Sequence, residues 1–178
     1  MPHIALDENL PGITALFAYR PETAAPLGQL AEVLLRGPSS LSVGERELIG
    51  AVVSRGNDCT FCSRSHAAVA AEALEGGLSV VEAAWKDVDG APVSAKMKAL
   101  LHVALAVREG GKSVSEDLIA AARAEDATDL EIHDTVLIAA AFCLFNRYVD
   151  GLGTPAPDDQ DAYQDTGIRL LEEGYTRL

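Results

Sequence analysis

Positive charge is scarce in this sequence: 14 lysines and arginines stand against 27 aspartates and glutamates, a formal net charge of −13 over 178 residues. Affinity for nucleic acid or for an anionic membrane surface rests on Lys and Arg displacing counterions from phosphates, so neither is expected as a partner. Long apolar runs are missing as well. The longest, Val136 to Phe145, is about half of the roughly 20 residues that a membrane span requires. The opening stretch MPHIALDENLPGITALF has no basic segment leading into an apolar one, so no signal peptide is expected and the chain is read as soluble and cytoplasmic. Also absent are alternating Val, Ile and Thr runs bounded by turn residues, which removes the main strand signal. Cysteine is rare, with three in all. In a reducing compartment a structural disulfide is disfavoured, and a close cysteine pair points to catalysis or metal binding.

What is present is helical. Ala, Leu and Glu are plentiful, and 48% of the residues are hydrophobic, enough for a core. The expected fold is all-α, one domain over residues 1–178, with an extended, Pro-rich arm over 1–23. Four Ser/Thr-x-x-Glu patterns suggest capping boxes: Ser42/Glu45, Ser79/Glu82, Ser113/Glu116 and Thr128/Glu131. Helices are expected over 24–35, 43–54, from 57 or 58 to the glycine pair 76–77, and over 80–85, 93–109, 116–124, 130–148 and 159–173. The helix over 130–148 is apolar almost all round across its middle and is expected at the centre, covered by other helices or another subunit.

The chemistry concentrates in DCTFCSRSH, Asp58 to His66. With Asn57 or Asp58 as N-cap, Cys59 and Cys62 fall in the first turn of a helix, where unpaired N–H groups and the macrodipole favour an anion and hence a thiolate. The two cysteines are three residues apart and share a face, close enough to pair after oxidation. His66, four residues beyond Cys62, stacks above that sulfur, and a base beside a thiol is what nucleophilic cysteine catalysis needs. The preceding helix offers Glu45, which has a capping role, and Glu47, which is free to orient His66 or accept its proton. The residues 41–75 thus form a two-helix redox core.

Glu47, Cys59, Cys62 and His66, with the flanks AVVSRGNDCTFC and FNRYVDGLG, resemble the Glu…Cys-x-x-Cys-x-x-x-His signature of the AhpD-like alkylhydroperoxidases in the carboxymuconolactone decarboxylase-like superfamily. The flanks are most similar to its uncharacterised peroxidase-related branch. The resemblance implies an AhpD-like helical bundle that reduces hydroperoxides by thiol chemistry. It makes Cys62 the cysteine that becomes sulfenic acid, Cys59 its proton donor and disulfide partner, and His66 with Glu47 a proton relay. It also implies a homo-oligomer, trimer or hexamer, regenerated by a dithiol or a lipoylated protein. One departure stands out: Phe61 lies between the cysteines where the best-studied branch has histidine, which bears on the choice of reductant.

The two sources differ on which thiol ionises first. Proximity to the helix terminus favours Cys59; the stacked proton acceptor His66 favours Cys62, and the more local effect is given precedence. Zinc binding through Cys59, Cys62 and His66 is an alternative, but a fourth ligand is not evident and no cofactor or metal is required. A decarboxylase-like lyase and a non-enzymatic redox sensor are the rival functions. Cys143, in an apolar run, reads as core, Trp85 as a packing anchor, and His3, His102 and His133 as structural or surface residues. Asn146 and Arg147, at the end of the central helix, are candidates to line a site.

Overall fold

The computed structural model describes residues 1–176, and Arg177 and Leu178 lie outside them. Among the described residues there are nine α-helices and no strand. They are α1 (Gly12–Tyr19), α2 (Pro21–Arg36), α3 (Val43–Gly56), α4 (Thr60–Ala73), α5 (Leu78–Lys86), α6 (Ala95–Glu109), α7 (Glu116–Ala124), α8 (Asp129–Gly151) and α9 (Gln160–Glu173), with a short 3-10 turn at Gly111–Ser113.

Two of the four expected capping boxes form. Ser42 accepts from the Glu45 backbone N–H while the Glu45 carboxylate accepts from that of Ser42, and Thr128 with Glu131 does the same. The other two fail for local reasons. Gly77 precedes α5, and Ser79 lies inside that helix with its hydroxyl donating back to the Gly76 carbonyl at 2.7 Å. Ser113 is consumed by the 3-10 turn, and Ser115 caps α7 instead. Glu131 has a second task. It is 1% exposed and accepts from Lys96 at 2.7 Å and Ser40 at 2.9 Å. Burial opposes its ionisation, yet these donors and Thr128 hold its carboxyl down at about 2.

The expected extended arm over 1–23 is corrected. Residues 12–19 are helical and α2 begins at Pro21, inside the arm. The prolines there start helices rather than prevent them: Pro11 is the N-cap of α1 and Pro21 the first residue of α2, where a missing N–H costs nothing. The segment before α1 is tied down by backbone bonds from His3 N–H to the Leu152 carbonyl and from Gly12 N–H to Pro155, both 2.9 Å. Leu16 is fully buried as a result.

Helix α3 is the hub, packed most extensively against α4 and also against α8, α6, α5 and α2. Every residue from Leu48 to Ser54 is buried. Its outward faces are few, so its sequence carries little amphipathic pattern. Helix α4 is covered on its other side by α9. Gly167 permits that approach, since a Cβ there would lie 2.8 Å from the Ala68 backbone carbonyl carbon and its Cβ. Helix α8 is long and apolar enough to cross a membrane by length and composition. Here it is a core helix, with Ile138, Ala139 and Phe142 buried alongside the polar Glu131, Thr135 and Asn146. Its coverage is incomplete, because Leu130, Leu137 and Leu144, seven residues apart on one face, are exposed.

Candidate redox site

The turn between α3 and α4 sets the cysteines. Asp58 takes a left-handed backbone conformation with φ 58°, which Asp tolerates better than most residues. The chain then reverses, and the Cys59 N–H returns to the Ser54 carbonyl at 3.1 Å. Asp58 is therefore the turn residue, and Cys59, not Asn57 or Asp58, occupies the N-cap of α4. Cys62 becomes the third residue of the helix, among the unpaired N–H groups of its first turn.

Both sulfurs are free and buried, Cys59 0% and Cys62 3% exposed. They pack with Leu16 of α1 and Val149 of α8. The thiols lie within hydrogen-bonding reach of each other, and that contact polarises the pair. The Cys62 hydrogen bond, burial and the charge of a Cys62 thiolate push Cys59 upward. Cys62 is lowered, first by the hydrogen bond from Cys59, then by the charge of His66 and a hydrogen bond from Asn146, against an opposing effect of burial. The helix terminus does favour a Cys59 thiolate, since the Cys62 backbone N–H of the first turn holds Cys59 down, but the Cys62 thiol hydrogen bond, burial and the Cys62 charge outweigh it.

Glu47 and His66 are brought together across α3 and α4. The His66 Nδ1 lies 2.7 Å from Glu47 Oε2, and the Glu47 carboxylate is 0% exposed. Tyr175, beyond α9, completes the arrangement by donating its hydroxyl to Glu47 Oε1 at 2.6 Å and stacking on the imidazole at 5.8 Å between centroids. Burial first, then the Glu47 charge, keeps this phenol well above its ordinary range, so it serves as a donor. Phe142 contacts the ring edge-on at 4.5 Å. With Nδ1 committed to Glu47, Nε2 is the nitrogen left to exchange a proton.

Tyr175 carries no signature in the sequence. It is 128 positions from Glu47, and its place is set by a backbone N–H bond to Glu32 Oε2 at 2.7 Å. Asn146 reaches Cys62 from α8. It is 1% exposed, donates to the Ser54 hydroxyl and accepts from Asn57, both at 2.9 Å. Asp150 lies near Cys59, its carboxyl raised by burial and partly relieved by a Cys59 hydrogen bond. Arg147 is outside this network and donates to the Cys143 carbonyl of its own helix. Cys143 itself is half-buried against the core and accepts weakly from Asn57.

The remaining histidines stand elsewhere: His102 pairs with Asp89, His133 with Asp134, and His3 lies by Gly153. Trp85 is anchored by a hydrogen bond to the Ala51 carbonyl and a stacked Arg55. Among the described residues no group of three or more His, Cys, Asp or Glu is placed to hold a metal ion.

Phe61 packs at the edge of the cysteine cluster, where its ring fills the seam between α1 and α9. Its ring lies on Gly12, where a Cβ would be 2.2 Å from it, and tilts against Tyr163 at 6.3 Å. Gly12 also has φ +54°, a second reason for glycine there. Phe61 therefore fastens α1 over the cysteines. Beside it an apolar cavity with an enclosed volume of about 70 Å³ reaches Cys62, Ser65 and His66.

The polarised thiols carry a measurable consequence. Because Cys62 is lowered, its thiolate persists below the ordinary thiol range and is lost only as pH falls through the depressed value. Brief iodoacetamide treatment of the reduced protein at pH 7 should label Cys62 about tenfold or more faster than Cys59, as read by peptide mapping. Faster labelling of Cys59 would reverse the assignment.

Residues 21–84 match the carboxymuconolactone decarboxylase family. Two crystal structures are similar over most of the chain. One is the alkylhydroperoxidase AhpD core, an uncharacterized peroxidase-related protein from Ralstonia eutropha JMP134, at 26% identity over 89% of this chain and 81% of that one, TM-score 0.78. The other is an uncharacterized peroxidase-related protein from Silicibacter sp. TM1040, at 24% identity over 86% and 78%, TM-score 0.77. No curated protein matches the chain.

Proposed function

We propose, from the match of residues 21–84 to the carboxymuconolactone decarboxylase family and the likeness in fold to an AhpD core protein, that the chain is a thiol-dependent peroxidase for organic hydroperoxides. The observation that carries this reading is the polarised Cys59/Cys62 pair beside a Glu47-held His66 at the end of an apolar cavity.

In the proposed cycle the Cys62 thiolate attacks the terminal peroxide oxygen, an S–O bond forms and the O–O bond breaks. The departing alkoxide takes a proton from Cys59 or His66 and leaves as the alcohol, reduced by two electrons, while Cys62 becomes a sulfenic acid. Cys59 then attacks that sulfur, water leaves, and the pair closes as a disulfide. An external dithiol or lipoylated protein returns both thiols and is itself oxidised. Glu47 stabilises the imidazolium that forms when His66 holds the proton, and Tyr175 keeps the carboxylate oriented.

The C-x-x-C pair supports this over a decarboxylase-like lyase, whose chemistry has no use for two polarised thiols. The exposed Leu130, Leu137 and Leu144 stripe supports the homo-oligomer, trimer or hexamer, as the cover for that face. A reducing cytoplasm suits a pair that must be reopened after each turnover.

The reduced chain, given excess dithiothreitol, should consume cumene hydroperoxide catalytically. Given one equivalent and no reductant, it should lose two hydrogens by mass and link Cys59 to Cys62. No consumption and no mass change would sink the reading.

A further inference from the structure

The cavity beside Cys62 is walled for the reacting end of an organic peroxide. Its walls include Phe17, Leu27, Phe142 and Phe145, an apolar lining broken by few polar groups as in small-molecule sites, and its enclosed volume of about 70 Å³ admits that end alone. Hydrogen peroxide would leave such walls unused. A second cavity, of about 720 Å³, shares Thr14, Phe17, Gly28, Arg169 and Tyr175 with the first. The two adjoin across these residues, and a ligand whose peroxide end enters the first would lay its body along the second.

Two polar groups break the apolar lining at places that matter. Ser65 is 3% exposed, its hydroxyl has no hydrogen-bond partner, and it lines the inner cavity between Cys62 and His66 in the sequence. A buried hydroxyl without a partner is costly, and a ligand oxygen in the cavity would satisfy it. Arg169 of α9 lines both cavities, is half-buried, and makes no hydrogen bond or ion pair with any described residue. Most of the other described arginines here have a partner: Arg36 bonds carbonyls of α9, Arg46 those of Leu34 and Gly37, and Arg123 pairs with Asp129. A cation at an apolar junction attracts a carboxylate, the bidentate match for guanidinium. The overall charge of −13 does not forbid that, because repulsion from distant surface carboxylates is screened beyond about 8 Å at physiological ionic strength.

We propose that this site takes an amphiphilic organic hydroperoxide of the hydroperoxy fatty acid kind: peroxide at Cys62 and Ser65, hydrocarbon past Phe17 along the second cavity, carboxylate on Arg169. This deepens the peroxidase reading and rests on it for turnover. It does not rest on it for binding, since the reduced product, a hydroxy fatty acid, presents the same body and head to the same walls.

The test has two arms. In the first, wild type and Arg169→Gln, with dithiothreitol in excess, are given a hydroperoxy fatty acid and its methyl ester. The wild type should prefer the acid about tenfold in kcat/KM, the value of about 1.4 kcal/mol, expressed in KM. Arg169→Gln should erase the preference and Arg169→Lys restore part of it. In the second arm the Cys62→Ser protein is titrated with the hydroxy fatty acid and its methyl ester by calorimetry. Tighter binding of the acid, lost in the Cys62→Ser/Arg169→Gln double variant, supports the site even if no hydroperoxide is consumed. Equal treatment of acid and ester by the wild type, or a preference that survives Arg169→Gln, overturns the carboxylate assignment. Ser65→Ala should lower kcat for acid and ester alike, and an unchanged kcat would remove Ser65 from it.

Discussion

Replacing Cys62 by serine should reduce hydroperoxide turnover by at least about a thousandfold, while Cys59→Ser should leave the first chemical step intact. The asymmetry follows from the polarisation of the pair. Cys62 is the thiol whose ionisation is favoured, by the Cys59 hydrogen bond, then by the His66 charge and Asn146. A serine hydroxyl in its place stays protonated at neutral pH and has no comparable reactivity toward an O–O bond. Serine at position 59 still offers a hydroxyl donor to the Cys62 sulfur, so the thiolate survives. What is lost is the resolving step. Cys59→Ser should therefore consume one equivalent of hydroperoxide in a burst and stop at a sulfenic acid that dimedone traps on Cys62, as mass spectrometry would show. Excess dithiol should then support slow turnover by attacking the sulfenic acid directly. Equal activity in both variants would contradict the roles given to the two sulfurs.

Glu47→Gln is expected to have the second largest effect. The carboxylate is wholly buried and serves two partners, His66 Nδ1 at 2.7 Å and the Tyr175 hydroxyl at 2.6 Å. Glutamine keeps the volume but loses the charge that offsets an imidazolium. The charge by which His66 lowers Cys62 then loses its support, and the thiolate titration should move to higher pH. Removing a general acid–base element costs about 10² to 10⁴ in rate, and a fall of about 10² in kcat is expected at neutral pH. Raising the pH should recover part of it, because the thiol then ionises without help. The 240 nm absorbance of the thiolate against pH, compared with the pH profile of kcat, checks both. A merely structural role would lower the thermal midpoint without moving the thiolate titration. Glu47→Ala should do both, leaving two buried polar groups unpaired at about 1–3 kcal/mol each.

Much of this was legible in the sequence because it is local. Helices follow from composition and periodicity, and Ser42/Glu45 and Thr128/Glu131 cap where the pattern says because a capping box involves only four consecutive residues. Glu47 and His66 were within reach for the same reason: a short turn makes α3 and α4 neighbours, and spacing then decides which side chains face across them. The same locality explains the misreadings. Proline patterns over 1–23 suggest an extended arm until burial of Leu16 shows what a short helix gains there. Ser79 and Ser113 match a four-residue pattern, but the preceding backbone at Gly77 and Gly111 had already settled where the helix begins.

Sequence alone thus determined the helical class, the order of the helices from α2 onward and the two-helix unit that holds Glu47, Cys59, Cys62 and His66, all matters of spacing along a few turns. Only the tertiary structure decided which cysteine is lowered, that Tyr175 joins Glu47, and that Ser65 and Arg169 open on adjoining cavities. Those depend on contacts between residues far apart in the chain, such as Cys62 with Asn146 of α8 and Glu47 with Tyr175. Burial and hydrogen bonding set ionisation, and both are properties of packed space that no spacing along the chain encodes.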